Sequence, residues 1–157
     1  MRTEREYYAN LPRKRSSAGV LCVHDGKILL LQSTYENKWT IPGGMIEENE
    51  SPLMAARREC EEEIGFAPEI TGLACMDYSI PRESFKGDSY HFLFRAEPFT
   101  EDDVSNILLN PSEHSYFEFL EPEEALKRLV NPLRERVATA LKLRGKPAYL
   151  EDSVAPI

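Results

Sequence analysis

Soft metal ligands are scarce in this chain: 157 residues contain three cysteines and three histidines. Cys22, Cys60 and Cys75 are odd in number and widely spaced among apolar neighbours, so they read as buried, reduced thiols and not as a disulfide framework. No Cys or His pair has the spacing of a zinc site. Positive charge is short as well: 19 Lys and Arg against 27 Asp and Glu leave a net charge of −8. A field of that sign repels polyanions, which argues against broad nucleic-acid binding and against anionic membranes. A small phosphate compound stays open if a local cation offsets the field. Long apolar runs are absent, none approaching the roughly 20 residues of a membrane span. The opening MRTEREYYANLPRKR is charged and has no apolar signal core. The expected location is cytoplasmic.

The remaining composition, 41% hydrophobic and 29% charged, is that of one globular domain spanning 1–157, with 1–15 as a polar lead-in. Ala18–Val23 and Lys27–Gln32 read as strands joined at Asp25-Gly26, a hairpin signal. Trp39–Gly44 ends in a glycine turn. A helix follows, capped by Ser51, with Pro52 in its first turn and Gly65 as its stop. Its apolar stripe is Leu53, Ala56, Cys60 and Ile64. Glu69–Tyr78 and Tyr90–Ala96 are further strands, the second with Tyr90, Phe92 and Phe94 on one face. Residues 98–114 form a long connection ahead of a strand at Tyr116–Leu120. Two helices close the chain: Pro122–Val130, with Ala125, Leu126, Leu129 and Val130 inward, and Pro132–Leu143, capped by Asn131. Strands and helices mix without strict alternation, which predicts an α/β (α+β) fold with helices on both sides of a mixed sheet.

Four of the five residues from Glu59 to Glu63 are glutamates. At about 100° per residue, Glu59, Glu62 and Glu63 share one arc along the edge of the buried face. Like charges beside the negative end of a helix are unfavourable by a few tenths of a kcal/mol each. Carboxylates at i, i+3 and i+4 suit a hard, oxygen-seeking cation such as Mg²⁺. A solvated acidic face is the other reading, and the residues alone leave both open.

The spacing is more specific than the charge. Gly44, five residues, Glu50, seven residues, then Arg58-Glu59-Cys60-Glu61-Glu62-Glu63-Ile64-Gly65-Phe66 resembles the signature of the Nudix hydrolases at every Gly, Glu and Arg position. Cys60 and Phe66 depart mildly at two aliphatic positions. The resemblance implies a Nudix-like α/β/α sandwich and hydrolysis of a nucleoside diphosphate linked to another group, with Mg²⁺ as cofactor and Mn²⁺ as a substitute. It implies Glu59, Glu62, Glu63 and the carbonyl of Gly43 as metal ligands. Gly44, Glu50 and Arg58 would support the site. The general base would be a helix glutamate (Glu59 or Glu62) or a loop glutamate. Glu113 is the loop candidate, with Glu101, Asp102 and Asp103 as rivals, while His114 reads as a loop histidine.

Substrate cues are thinner. Pro81 lies fifteen residues past Phe66, where ADP-ribose-cleaving relatives carry a proline. It also suits an ordinary loop. Arg82 and Lys86 meet either phosphate or solvent, and Trp39, Tyr35 and Tyr90 either stack on a base or pack. The expected partner is a small nucleotide, ADP-ribose or a nucleotide sugar before a nucleoside triphosphate, and the expected assembly a monomer or homodimer. A non-catalytic nucleotide sensor is the competing class, but such domains commonly lose the glutamates kept here.

Overall fold

A computed structural model describes residues 2–156. Two sheets carry the fold. β1 (Arg15–Leu21), β5 (Gly43–Met45), β7 (Ser89–Ala96), β6 (Ile70–Ser79) and β9 (Ala148–Glu151) form the first, in the order β5-β1-β7-β6-β9. It is mixed: β1 runs parallel to β7, and β6 parallel to β9, while the other pairs are antiparallel. In the second sheet, β3 (Lys27–Ser33) pairs with β8 (His114–Leu120) along one edge. β2 (Val23–His24) and β4 (Trp39–Thr40) pair with its other edge. The hairpin between β2 and β3 turns where expected, with positive φ at both Asp25 and Gly26.

Period-two alternation distributes the strand residues between two cores. Ala18, Val20, Leu29 and Leu31 pack with α2 (Pro52–Ile64) through its Ala55, Ala56, Cys60 and Ile64. Leu21, Ile28, Leu30 and Leu93 pack on the opposite side with α4 (Pro122–Arg128) and α5 (Leu133–Lys142) through Ala125, Val137 and Ala140. Helices thus cover both faces. Phe92 and Phe94 lie on the α2 side, as their alternation with His91, Leu93 and Arg95 predicts.

Several local expectations need correction. Leu53 is 36% exposed, and Ala55 takes its place in the buried stripe of α2. Val130 is exposed beyond the end of α4, and no side chain caps α5. The lead-in holds a short, fully exposed helix, α1 (Glu4–Ala9), capped by Thr3. The long connection holds α3 (Glu101–Ser105), closed by a capping box between Thr100 and Asp103. The cysteines are free and buried, as read. The Cys60 thiol has a raised pKa, from its hydrogen bond with Cys22 and from burial, which leaves it unreactive.

One polar knot ties the first sheet to α5. Asp77 in β6 is fully buried, and its Oδ2 accepts from Arg136 Nε of α5 at 2.6 Å. Ser153 near the C-terminus donates its backbone N–H and hydroxyl to the same carboxylate at 3.0 and 3.1 Å. Removing one partner of a buried pair strands the other, at a cost of about 3–5 kcal/mol. Asp77→Ala should therefore lower the melting temperature by on the order of 10 °C, read by calorimetry. A drop of only a degree or two would mean that the knot adds little.

Candidate active site

The acidic helix begins and ends on its own signals. Ser51 Oγ accepts from the Met54 N–H at 3.1 Å, Pro52 fills the first turn, and Gly65 closes the helix in the left-handed region. Between these ends, Arg58 spends all three guanidinium nitrogens on the site. Nε and Nη2 grip Glu50 at 2.8 and 3.0 Å, a two-pronged pair. Nη2 also donates to the Met45 carbonyl, and Nη1 reaches Glu59 at 2.8 Å and Glu62 at 3.2 Å. One cation thereby pins the 46–50 loop, the β5 strand and two of the predicted glutamates.

β5 passes directly beneath those glutamates. The Gly43 N–H donates to Glu63 Oε2 at 2.8 Å. A Cβ on Gly44 would sit 2.4–2.7 Å from the Glu59 carboxylate, so the missing side chain is the space that Glu59 fills. On the far side, His114 Nε2 meets Glu63 Oε1 at 2.7 Å, and both residues are buried. Ligand atoms of Glu63, Glu113 and His114 all lie within 4.8 Å of one another. Glu113 is itself held by Asn110, which donates to its Oε1 at 2.9 Å. The loop glutamate Glu113 and the helix glutamate Glu63, 50 residues apart in sequence, therefore meet in one place.

His114 is the residue that the sequence reading missed. It opens β8 and orients Glu63, so it is not an idle loop histidine. Burial opposes charge on its ring, yet the hydrogen bond and negative charge of Glu63, with Glu113 behind, outweigh this and raise its pKa. Its place beside Glu113 was the available clue, since a buried imidazole needs an acceptor. The other candidates lie apart. Glu101, Asp102 and Asp103 sit on α3. Trp39 packs edge-on to Tyr116 under the Arg128 guanidinium. Pro81 and Arg82 line an open cleft with Ile80 and Asp152, and neither Trp39 nor Arg82 lines the cavity next to Gly43 and Gly44.

The balance of charge fits a divalent cation. Glu50, Glu59 and Glu62 share one guanidinium, leaving carboxylate in excess. Burial pushes the Glu59 carboxyl up, and Glu63 and Glu62 push the same way against the pull of Arg58. A partly buried anion held above its ordinary pKa gains from a hard cation, and every available donor is oxygen apart from the His114 ring.

The sequence model of the NUDIX domain matches residues 13–141. The chain belongs to the NUDIX family. An RNA pyrophosphohydrolase of Erythrobacter litoralis is 27% identical over 146 residues, covering 82% of this chain and 88% of that protein. Diphosphoinositol polyphosphate phosphohydrolase 3-alpha of Mus musculus is 28% identical over 148 residues, covering 90% and 86%. The MutT protein of Methanosarcina mazei superposes with a TM-score of 0.70 at 21% identity, covering 87% of this chain and all of that one, a likeness of fold. As a NUDIX protein whose relatives include an RNA pyrophosphohydrolase and a diphosphoinositol polyphosphate phosphohydrolase, this chain is a hydrolase acting on pyrophosphate bonds. The cavity, the glutamates and Arg58 all fall within the matched residues.

Two neighbouring glycines should respond differently to the same substitution. Gly43→Ala drives a methyl to 2.5 Å from the Ala18 carbonyl and the Gly19 backbone, which cannot yield. The expected loss is about 1–3 kcal/mol or more of stability in a denaturant melt. Gly44→Ala meets only the end of the flexible Glu59 side chain. It should keep its melting curve within about 1 kcal/mol yet lose at least about tenfold in turnover. Equal stability for the two variants would refute this contrast.

Arg58 and the Glu47 N–H hold the Glu50 carboxyl down at about 2, against an ordinary 4.5. A depressed folded pKa means stability that is present above pH 4.5 and lost as pH falls toward 2. Glu50→Gln should melt below the wild type at pH 7, with the gap closing as the pH is lowered through that window. A constant gap from pH 7 to 2 would show that the ion pair is not its source.

Proposed function

We propose that this NUDIX protein is a Mg²⁺-dependent pyrophosphohydrolase of a small nucleoside diphosphate derivative. The supporting observation is that Glu59 and Glu63 meet the Gly43-Gly44 strand, Glu62 shares Arg58 with Glu59, and Glu113 lies beside Glu63. Glu59, Glu62, Glu63 and the Gly43 carbonyl would hold the metal. Bound there, Mg²⁺ supplies charge neutralisation of the diphosphate and a bound water acidic enough to ionise near neutral pH.

The chain's own residues do the rest. Arg58 fixes the directions of Glu59 and Glu62, and the Gly43 N–H with His114 fixes Glu63, so the ligand oxygens are placed before substrate arrives. Glu113 Oε1 is occupied by Asn110, and its Oε2 has no protein partner among the described residues. That oxygen takes the proton of the attacking water as the P–O–P bond breaks. Manganese would substitute for magnesium. Nucleotide sugars, with ADP-ribose as the reference compound because of Pro81, come before nucleoside triphosphates.

Glu62 is half-exposed, and among the described residues its one side-chain contact is the surface pair with Arg58. Glu62→Gln should leave the melting temperature nearly unchanged while turnover falls by about 10²-fold or more. Glu113→Gln should lower kcat with little change in metal affinity, measured by Mn²⁺ titration. The assay is a panel of nucleotide sugars, triphosphates and dinucleoside polyphosphates with Mg²⁺ and with Mn²⁺, the products separated by chromatography. Near-normal turnover of Glu62→Gln at saturating Mg²⁺ would sink the assignment.

A further inference from the structure

Beside the acidic ridge, Gly43 and Gly44 share a second boundary. A cavity of about 190 Å³ opens there, walled by β1, β7 and the start of α5. At about 30 Å³ per water, it has room for about six. That is too little for a whole nucleotide, since pockets for drug-sized ligands run to roughly 300–1,000 Å³. It is enough for one planar ring system the size of a purine.

The walls define what kind of ring. Ile41, Leu93 and Leu133 supply apolar surface. Arg136 supplies a donor: Nε is taken by Asp77 and Nη2 by Ser79 Oγ at 3.2 Å, while Nη1 has no acceptor among the described residues. Asp77 already balances the guanidinium charge, so little positive charge is left to attract a phosphate. His91 is clamped at both nitrogens, by Ser17 Oγ at 2.7 Å and Ser89 Oγ at 2.9 Å. Burial, reinforced by the Arg136 cation, lowers its pKa to about 4, so it is neutral at physiological pH. Whichever tautomer His91 adopts, Ser17 Oγ keeps one hydrogen-bonding position for an occupant. The cavity is therefore polar without being charged, and it has one unfilled, strongly directional donor.

We infer that this cavity seats the nucleobase of the substrate and that Arg136 Nη1 donates to a ring carbonyl, so that an oxo-base such as hypoxanthine or guanine is taken in preference to adenine. The inference rests on the nucleotide-hydrolase reading above and narrows it. Arginine pairs with the O6 and N7 acceptors of guanine, whereas adenine places an amino donor where O6 would be. A site built around one hydrogen bond discriminates against the analogue that lacks it, because its own group is left unpaired.

Hypoxanthine and adenine form a matched pair that differs at the six-position. The test compares inosine 5′-diphosphoribose with ADP-ribose as substrates of the whole protein with Mg²⁺. Free inosine and adenosine are also compared as ligands by calorimetry without metal. The expected result is at least about tenfold higher kcat/KM for the inosine compound, carried by KM, and tighter binding of free inosine. Arg136→Lys keeps a cation for Asp77 but loses the planar fork, so the ratio should fall to about one. The wild-type ratio and the nucleoside binding require no variant, which keeps the inference testable if Arg136→Lys folds poorly. Hydrolysis of both compounds at equal efficiency would overturn the base assignment and leave the hydrolase reading standing. Inosine binding without hydrolysis of any diphosphate in the panel would do the reverse. A preference that persists in folded Arg136→Lys would overturn the role of Arg136.

Discussion

Arg58 is the group on which the arrangement of the site depends. Its three nitrogens hold a loop carboxylate, a strand carbonyl and two helix carboxylates at once. Without it, three glutamates along one edge of a helix and Glu50 from the loop would crowd together with no arginine to order them. With it, the repulsion becomes a fixed geometry, with Glu59 lying in the space left by Gly44. The guanidinium offsets only part of the negative charge. The remainder accounts for the raised pKa of Glu59 and for the oxygen-rich environment that a hard cation favours.

The fold serves this arrangement by bringing distant segments together. β5 is three residues long, yet it pairs with β1, so Gly43 and Gly44 are held at the edge of the first sheet. Packing of α2 across β1 through Ala55, Ala56, Cys60 and Ile64 holds its glutamates beside β5. β8 enters from the second sheet and brings Glu113 and His114 to Glu63. Three segments are thus fixed by backbone pairing or core packing, and side chains need only close the last few ångströms. That is the usual requirement for precise placement of reactive groups.

Much of this was legible in the chain itself. Ser51, Pro52 and Gly65 mark the ends of α2 because each acts through local chemistry that needs no partner from elsewhere. The spacing from Gly44 to Gly65 identified the acids and their arginine for the same reason. What escaped reading depends on distant contacts. Leu53 has the right period but lies at the end of α2 where the sheet no longer covers it. β9 has no strong strand pattern, and its pairing with β6 defines it. His114 looked idle because its partner, Glu63, lies 51 residues away. α3 went unread because its capping box closes a helix of five residues within a polar run.

The Asp77 knot has a consequence at the other end of the molecule. Two of the hydrogen bonds on that carboxylate come from Ser153, a residue four positions from the last. Asp77 in turn holds Arg136, which lines the cavity beside the glycine strand. Proteolytic clipping or a bulky fusion at the C-terminal tail would loosen that anchor first. On the base-recognition role proposed for Arg136, substrate selectivity would then drift while the glutamates held by Arg58 stayed in place.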